Sequence, residues 1–138
     1  MSQVSLLAAD RPMPLFASPA RRTRLVSTPS GTFSVDEDGF SVAEHQYYRR
    51  GVDLLDLRLK PFPYELNLQA APQDLHWLRT YLESSCIPGE QVELWNLWVG
   101  AEDTPCRVLR FAGPLAAFGL DTLKQLYERY QTCITIEI

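Results

Sequence analysis

The 138 residues carry 13 Lys and Arg against 17 Asp and Glu, for a net charge of −4, and are 46% hydrophobic and 22% charged. That balance is ordinary for a globular chain and argues against disorder or a fibrous repeat; no apolar run approaches the roughly 20 residues of a membrane-spanning helix. Residues 1–60 hold eight basic and seven acidic side chains, while residues 61–138 hold five and ten. The acidic second part opposes the counterion release that drives nucleic-acid binding.

Along the chain, Val4, Leu6 and Leu7 are soon interrupted by Asp10, Arg11 and Pro12. No signal-peptide core forms, and the first β-like segment is expected near Leu15 and Phe16. Residues 22–28 and 32–36 flank Pro29-Ser30-Gly31, where a preset φ and a permissive glycine predict a β-hairpin turn. Ser41 and Glu44 have capping-box spacing, which predicts a helix over 42–55 with Gly51 as its weak point. A competing reading runs a strand through Phe40 and Val42 and starts the helix near Arg49.

From Tyr64 the pattern is strand, helix, strand, strand, helix, strand. Tyr64, Leu66, Leu68 and Ala70 alternate with polar residues and predict a half-buried strand. Pro72 opens a helix whose stripe is Leu75, Leu78, Tyr81 and Leu82, and Pro88-Gly89 ends it. Strands over 91–99 and 106–111 flank a turn at 100–105. Asp121 is a candidate N-cap for a helix carrying Leu123, Leu126, Tyr127 and Tyr130, and the β-branched 132–138 is the last strand. These elements predict an α+β chain with a ferredoxin-like β-α-β-β-α-β sandwich over 61–138, strand order 4-1-3-2. Residues 1–60 are then an N-terminal extension of hairpin plus helix packed on that sandwich.

The strand over 91–99 is apolar on both faces. Val92, Leu94 and Trp98 lie on one side with Asn96; Trp95, Leu97 and Val99 lie on the other with Glu93. Such a strand is covered on both sides in a folded protein, and two helices cover one. Either the extension, through Leu25, Val26, Phe33, Val35, Tyr47 and Tyr48, lies across the open face, or a second copy or another protein does. The expected interaction residues are Trp95, Trp98, Glu93 and Asn96, with Tyr47, Tyr48, Arg49 and Arg50 from the extension.

No catalytic, cofactor-binding or metal-ligating residue is assigned. The two histidines, His45 and His76, stand apart without metal-ligand spacing. Cys86, Cys106 and Cys133 form no CxxC and leave one over, as expected of a protein in the reducing cytoplasm. Cys86 lies at a helix C-terminus, where a thiolate is disfavoured. The loop over 69–74 lacks the Arg and Gly of an acylphosphatase anion cradle, and 106–111 lacks the aromatic spacing of an RNA-recognition motif.

The expected function is therefore a non-enzymatic protein-interaction module that self-associates or binds another protein. As a small acidic domain it resembles phage or mobile-element inhibitors, including anti-CRISPR proteins; that resemblance implies a basic, nucleic-acid-binding partner. Two other readings remain. One is a ligand-binding regulatory domain or small enzyme with a pocket near His45, Tyr47, Tyr48, Arg49 and Trp95. The other is a nucleic-acid binder using the N-terminal arginines, Arg21, Arg22 and Arg24 with Arg49 and Arg50.

Overall fold

The structure, a computed structural model, describes residues 2–19, 21–100, 107–129 and 131–138. Among them the strands are β1 (Ser2–Ala9), β2 (Phe16–Ala17), β3 (Arg21–Thr28), β4 (Gly31–Asp38), β5 (Ser41–Glu44), β6 (Phe62–Asn67), β7 (Gln91–Val99), β8 (Leu109–Pro114) and β9 (Thr132–Glu137). The helices are α1 (Arg49–Leu54), α2 (Pro72–Ser85) and α3 (Leu120–Glu128), with a 3₁₀ turn at Leu115–Ala117. The chain is thus a mixed α+β fold built on one large mixed sheet.

That sheet has the order β2-β5-β6-β1-β7-β9-β8, and β3-β4 forms a separate ribbon. Only β8 and β9 pair in parallel. The order differs from the ferredoxin-like one, which places β6 and β8 in the centre. β1 occupies the centre instead, between β6 and β7, and β8 takes an edge. One strand from the first sixty residues, β1, is therefore inserted between two strands of the later part of the chain.

The physical reason lies in β1, a segment with no expected strand. Val4, Leu6 and Ala8 are buried on one face and Leu7 and Ala9 on the other. A run apolar on both faces lacks alternation, and it is the signature of a strand covered on both sides. β8, by contrast, is exposed along its whole length, which suits an edge. Because β1 is antiparallel to both neighbours, β6 and β7 run parallel to each other, and α2 is the crossover between them.

α2 and α3 pack on the face that carries Leu7 and Ala9. Leu78, Tyr81 and Leu82 of α2 and Leu123 and Leu126 of α3 meet Leu7, Val92, Leu94, Ile134 and Ile136. Pro72 does stand in the first turn of α2, and Leu78 and Leu82 are fully buried. α3 begins one residue before the expected cap, with Gly119 at the N-cap and Asp121 in the first turn. Tyr130 and the turn expected over 100–105, apart from Gly100, lie outside the described residues, as does Cys106.

The second face is closed by the chain itself, though not by the hairpin. Val52 of α1, Leu55 at its C-cap, and Leu57 and Leu59 in the segment that follows cover Trp95, Leu97, Val99 and Cys133. Leu25, Phe33, Tyr47 and Tyr48 stay exposed. The strand-then-helix alternative also holds for the preceding segment: Ser41–Glu44 is β5, and the helix starts at Arg49. β5 pairs with β6, so Val42 opposite Leu66 gains a ladder and a core position that the capping box cannot offer.

Glu93 and Gly51 secure this cover. One Glu93 carboxylate oxygen accepts from the Lys60 backbone N–H at 2.8 Å and from the Trp95 indole N–H at 3.2 Å. It thereby pins the end of the covering segment and satisfies the buried indole. The Arg110 guanidinium lies 5.3 Å from the Trp95 ring centroid. At Gly51 an added Cβ would come 3.0 Å from Val99 Cβ, so glycine there permits the close approach of α1 to β7. Trp95→Ala is expected to cost about 3–5 kcal/mol in chemical denaturation. Gly51→Ala should destabilise by about 1–3 kcal/mol through overpacking, the reverse of its helix-propensity effect.

The far end of β1 is clipped to the start of β7. Arg11 Nε and Nη2 donate to the two Glu90 carboxylate oxygens at 2.8 and 2.7 Å, and the Ile87 N–H adds a further bond to Glu90 at 2.7 Å. These hydrogen bonds, Arg11 first, hold the Glu90 carboxyl down at about 2. A carboxyl depressed on folding contributes stability above its unfolded value and loses it as pH falls through the folded one. Glu90→Gln should therefore lower the denaturation midpoint at neutral pH, and the gap to wild type should close between about pH 4.5 and 2.

Candidate functional site

β1 stays paired to β7 along its entire length, from Ala9 opposite Val92 to Ser2 opposite Val99. Its pairing with β6 runs only from Ala9 opposite Phe62 to Leu6 opposite Glu65, although β6 continues to Asn67. The two central strands diverge there, and a cleft opens between them. On the α3 side its volume is about 510 Å³, and its lining includes Gln3, Ser5, Asn67, Gln69, Trp98 and Tyr127. On the opposite side a smaller cavity of about 360 Å³ shares Gln3, Ser5 and Leu66 and adds Tyr47, Tyr48 and Glu65.

A hydrogen-bonded frame holds the larger side. The Tyr127 hydroxyl donates to the Leu68 carbonyl at 2.8 Å and lies 3.2 Å from Ser5 Oγ. With its one proton on Leu68, the phenol accepts from Ser5, whose oxygen keeps acceptor capacity. Asn96 is buried; its amide nitrogen donates to the Leu126 and Arg129 carbonyls at the end of α3, and its oxygen accepts from Gln3 Nε2 at 2.8 Å. It thus caps α3 and orients Gln3. The Gln131 side chain accepts from the Trp98 N–H at 3.1 Å and donates to its carbonyl at 3.0 Å, which fixes the backbone that carries the indole.

On the opposite side, a Glu65 carboxylate oxygen accepts from the Gln46 and Tyr47 N–H groups at 3.0 and 2.6 Å. This braces the loop in which Tyr48 adopts a left-handed φ of 57°. A bulky residue in that region is strained and needs such support. Tyr47 and Tyr48 are thereby held out into solvent beside the cleft.

The expected interaction residues are dispersed. Trp95 and Asn96 are interior, and Glu93 is occupied with Lys60 and Trp95. Trp98 lines one side of the cleft, and Tyr47 and Tyr48 line the other. Arg49 and Arg50 are exposed on α1. The ligand-pocket grouping is likewise divided, since His45 and Arg49 border a separate cavity of about 560 Å³ with Glu44, Gln46 and Phe62, while Trp95 reaches neither. Gln3, Ser5, Glu65 and Tyr127 had no functional signal in the sequence. Their roles exist only once β1 sits beside β6 and α3.

His45 is only 7% exposed, and its Nε2 has no hydrogen-bond partner. Burial lowers its pKa, with Glu65 opposing and Arg49 reinforcing that shift. A neutral ring with Nε2 as the bare acceptor is the form that costs least there. His76 is exposed on α2 and stacks edge-on with Trp77. Among the described residues no group of three or more His, Cys, Asp or Glu could hold a metal ion, and no helix is long and apolar enough to cross a membrane.

Cys86 and Cys133 are buried, and desolvation raises both thiols, Cys133 to about 12. Neither resembles an activated nucleophile. In the native protein both should resist alkylation and react only at the rate of unfolding, as peptide mapping after timed maleimide exposure would read. No family model, curated protein or solved structure matches the chain significantly.

Proposed function

We propose that the chain is a non-enzymatic protein-binding module that uses the β3–β4 ribbon as its binding arm. The observation that carries this reading is the arm's isolation. β2 and β5 pair at the sheet edge, Ala17 opposite Ser41, and the same ribbon resumes with Arg21 opposite Asp38. Three residues on the first strand face two on the second across that step, an offset of the kind that bends a ribbon away from its sheet. Beyond it, β3 and β4 pair only with each other.

A lone two-stranded ribbon is marginal in water, and this one carries unburied apolar side chains. The register puts Val26 opposite Phe33 and, two residues on, Val35 on the same face; Phe33 is 53% exposed and Leu25, on the other face, 70%. The turn is tight, with Thr28 opposite Gly31 and Gly31 at a φ of 138°, as the Pro29-Ser30-Gly31 signal predicts.

Chemistry along the arm favours protein over nucleic acid. Residues 25–34 have no charged side chain. In the register of the ribbon, Arg21 pairs with Asp38 and Arg22 with Glu37. A net charge of −4 favours encounter with a basic protein, and an inhibitor or regulator of a nucleic-acid-binding protein is the form of the reading this charge supports.

The test pairs wild type with a Phe33→Asp, Val35→Asp double variant. The variant should keep its denaturation midpoint, because these side chains belong to neither core cluster, and should lose the stoichiometric protein captured from the native host or self-association in sedimentation. Binding undiminished by the substitutions, or a midpoint drop equivalent to about 2 kcal/mol or more, would overturn the assignment of the arm.

A further inference from the structure

The cleft between β1 and β6 is separate from the arm, and its chemistry points elsewhere. We propose that it is a binding site for a neutral, polyhydroxylated small molecule, a mono- or disaccharide ring, seated against Trp98 with its hydroxyls toward Ser5, Gln3 and the Asn67–Gln69 loop. Three observations converge on this ligand class.

First, the opening lies within the sheet, where central strands part while each keeps its outer neighbour. Its volume of about 510 Å³ is the size of a small-molecule site. Second, among the described residues the larger side has no charged lining residue: its polar side chains are Gln3, Ser5, Asn67, Gln69 and Tyr127. An ionic ligand would lose hydration there without a counter-charge, which disfavours phosphates, nucleotides and amino acids.

Third, the frame leaves acceptors in place. Ser5 gives its proton to Tyr127, and Gln3 commits its amide nitrogen to Asn96, so the Ser5 hydroxyl oxygen and the Gln3 carbonyl oxygen retain acceptor capacity. A ligand rich in hydroxyl donors and with an apolar ring face matches acceptors set beside an indole. The groups are held before any ligand arrives: Asn96 is fully buried, and Gln131 clamps the Trp98 backbone. This preorganisation lowers the cost of binding.

The experiment is ligand-detected saturation-transfer NMR on the full chain. The probes are glucose, galactose, mannose, N-acetylglucosamine, maltose and cellobiose, with glucose 6-phosphate as the charged control. At least one neutral sugar should receive saturation, and the signal should survive Phe33→Asp, which alters the arm alone. Trp98→Ala and Ser5→Ala should each weaken the bound sugar by about tenfold or more, with far-UV circular dichroism confirming the fold. Asn67→Ala, at the end of β6, provides a second variant should Trp98→Ala unfold. The phosphorylated control should bind more weakly than glucose. Absence of transfer from every neutral sugar, equal binding by the folded Ser5→Ala and Asn67→Ala variants, or preference for the phosphorylated sugar would each overturn the proposal.

Discussion

The pairing of β1 with β7 is the constraint on which the rest of the molecule depends. Eight consecutive positions, Ser2 opposite Val99 through Ala9 opposite Val92, bring together two strands that are apolar on both faces. Neither strand can lie at a surface without exposing several large side chains, at roughly 25 cal/mol for each Å² left in water. Two covering layers are therefore required. α2 and α3 supply the first, and the run from Val52 to Leu59 supplies the second.

The second layer is economical in material. Six residues of helix and the short segment that follows cover Trp95, because Gly51 lets α1 sit against Val99 and Glu93 ties down Lys60. The same carboxylate satisfies the indole N–H, which would otherwise be a buried donor without a partner. Packing and polar satisfaction are solved by one residue, and this leaves the hairpin free of any covering duty. Its apolar side chains belong to neither core cluster.

The cleft follows from the same hierarchy. β1 keeps its register with β7 to the last residue, whereas its pairing with β6 ends at Leu6. Asn96, buried next to that divergence, cannot join the apolar core. It closes the C-terminus of α3 and holds Gln3 instead. Tyr127 likewise joins α3 to β1 and to the loop after β6. The polar lining of the cleft is thus part of how α3 is fastened to the sheet.

The sequence by itself determined local structure wherever a side-chain period or a turn residue governed it. The hairpin about Pro29-Ser30-Gly31, α2 from Pro72, β7 over Gln91–Val99, the Leu123 and Leu126 stripe of α3 and the final strand were all legible, and so was the need to cover both faces of β7. Only the tertiary structure decided which strand took the centre, because Val4 to Ala9 has no alternation for a local reading to find, and its burial depends on partners about 60 and 90 residues away. It also decided that Ser41–Glu44 is a strand despite its capping box, since a ladder with β6 and a buried Val42 outweigh a local cap. Trp95 and Trp98 were both visible as aromatics on a two-faced strand. That one is sealed beneath α1 and the other lines an open cleft was settled by where distant segments dock, a matter of long-range packing that no local spacing encodes.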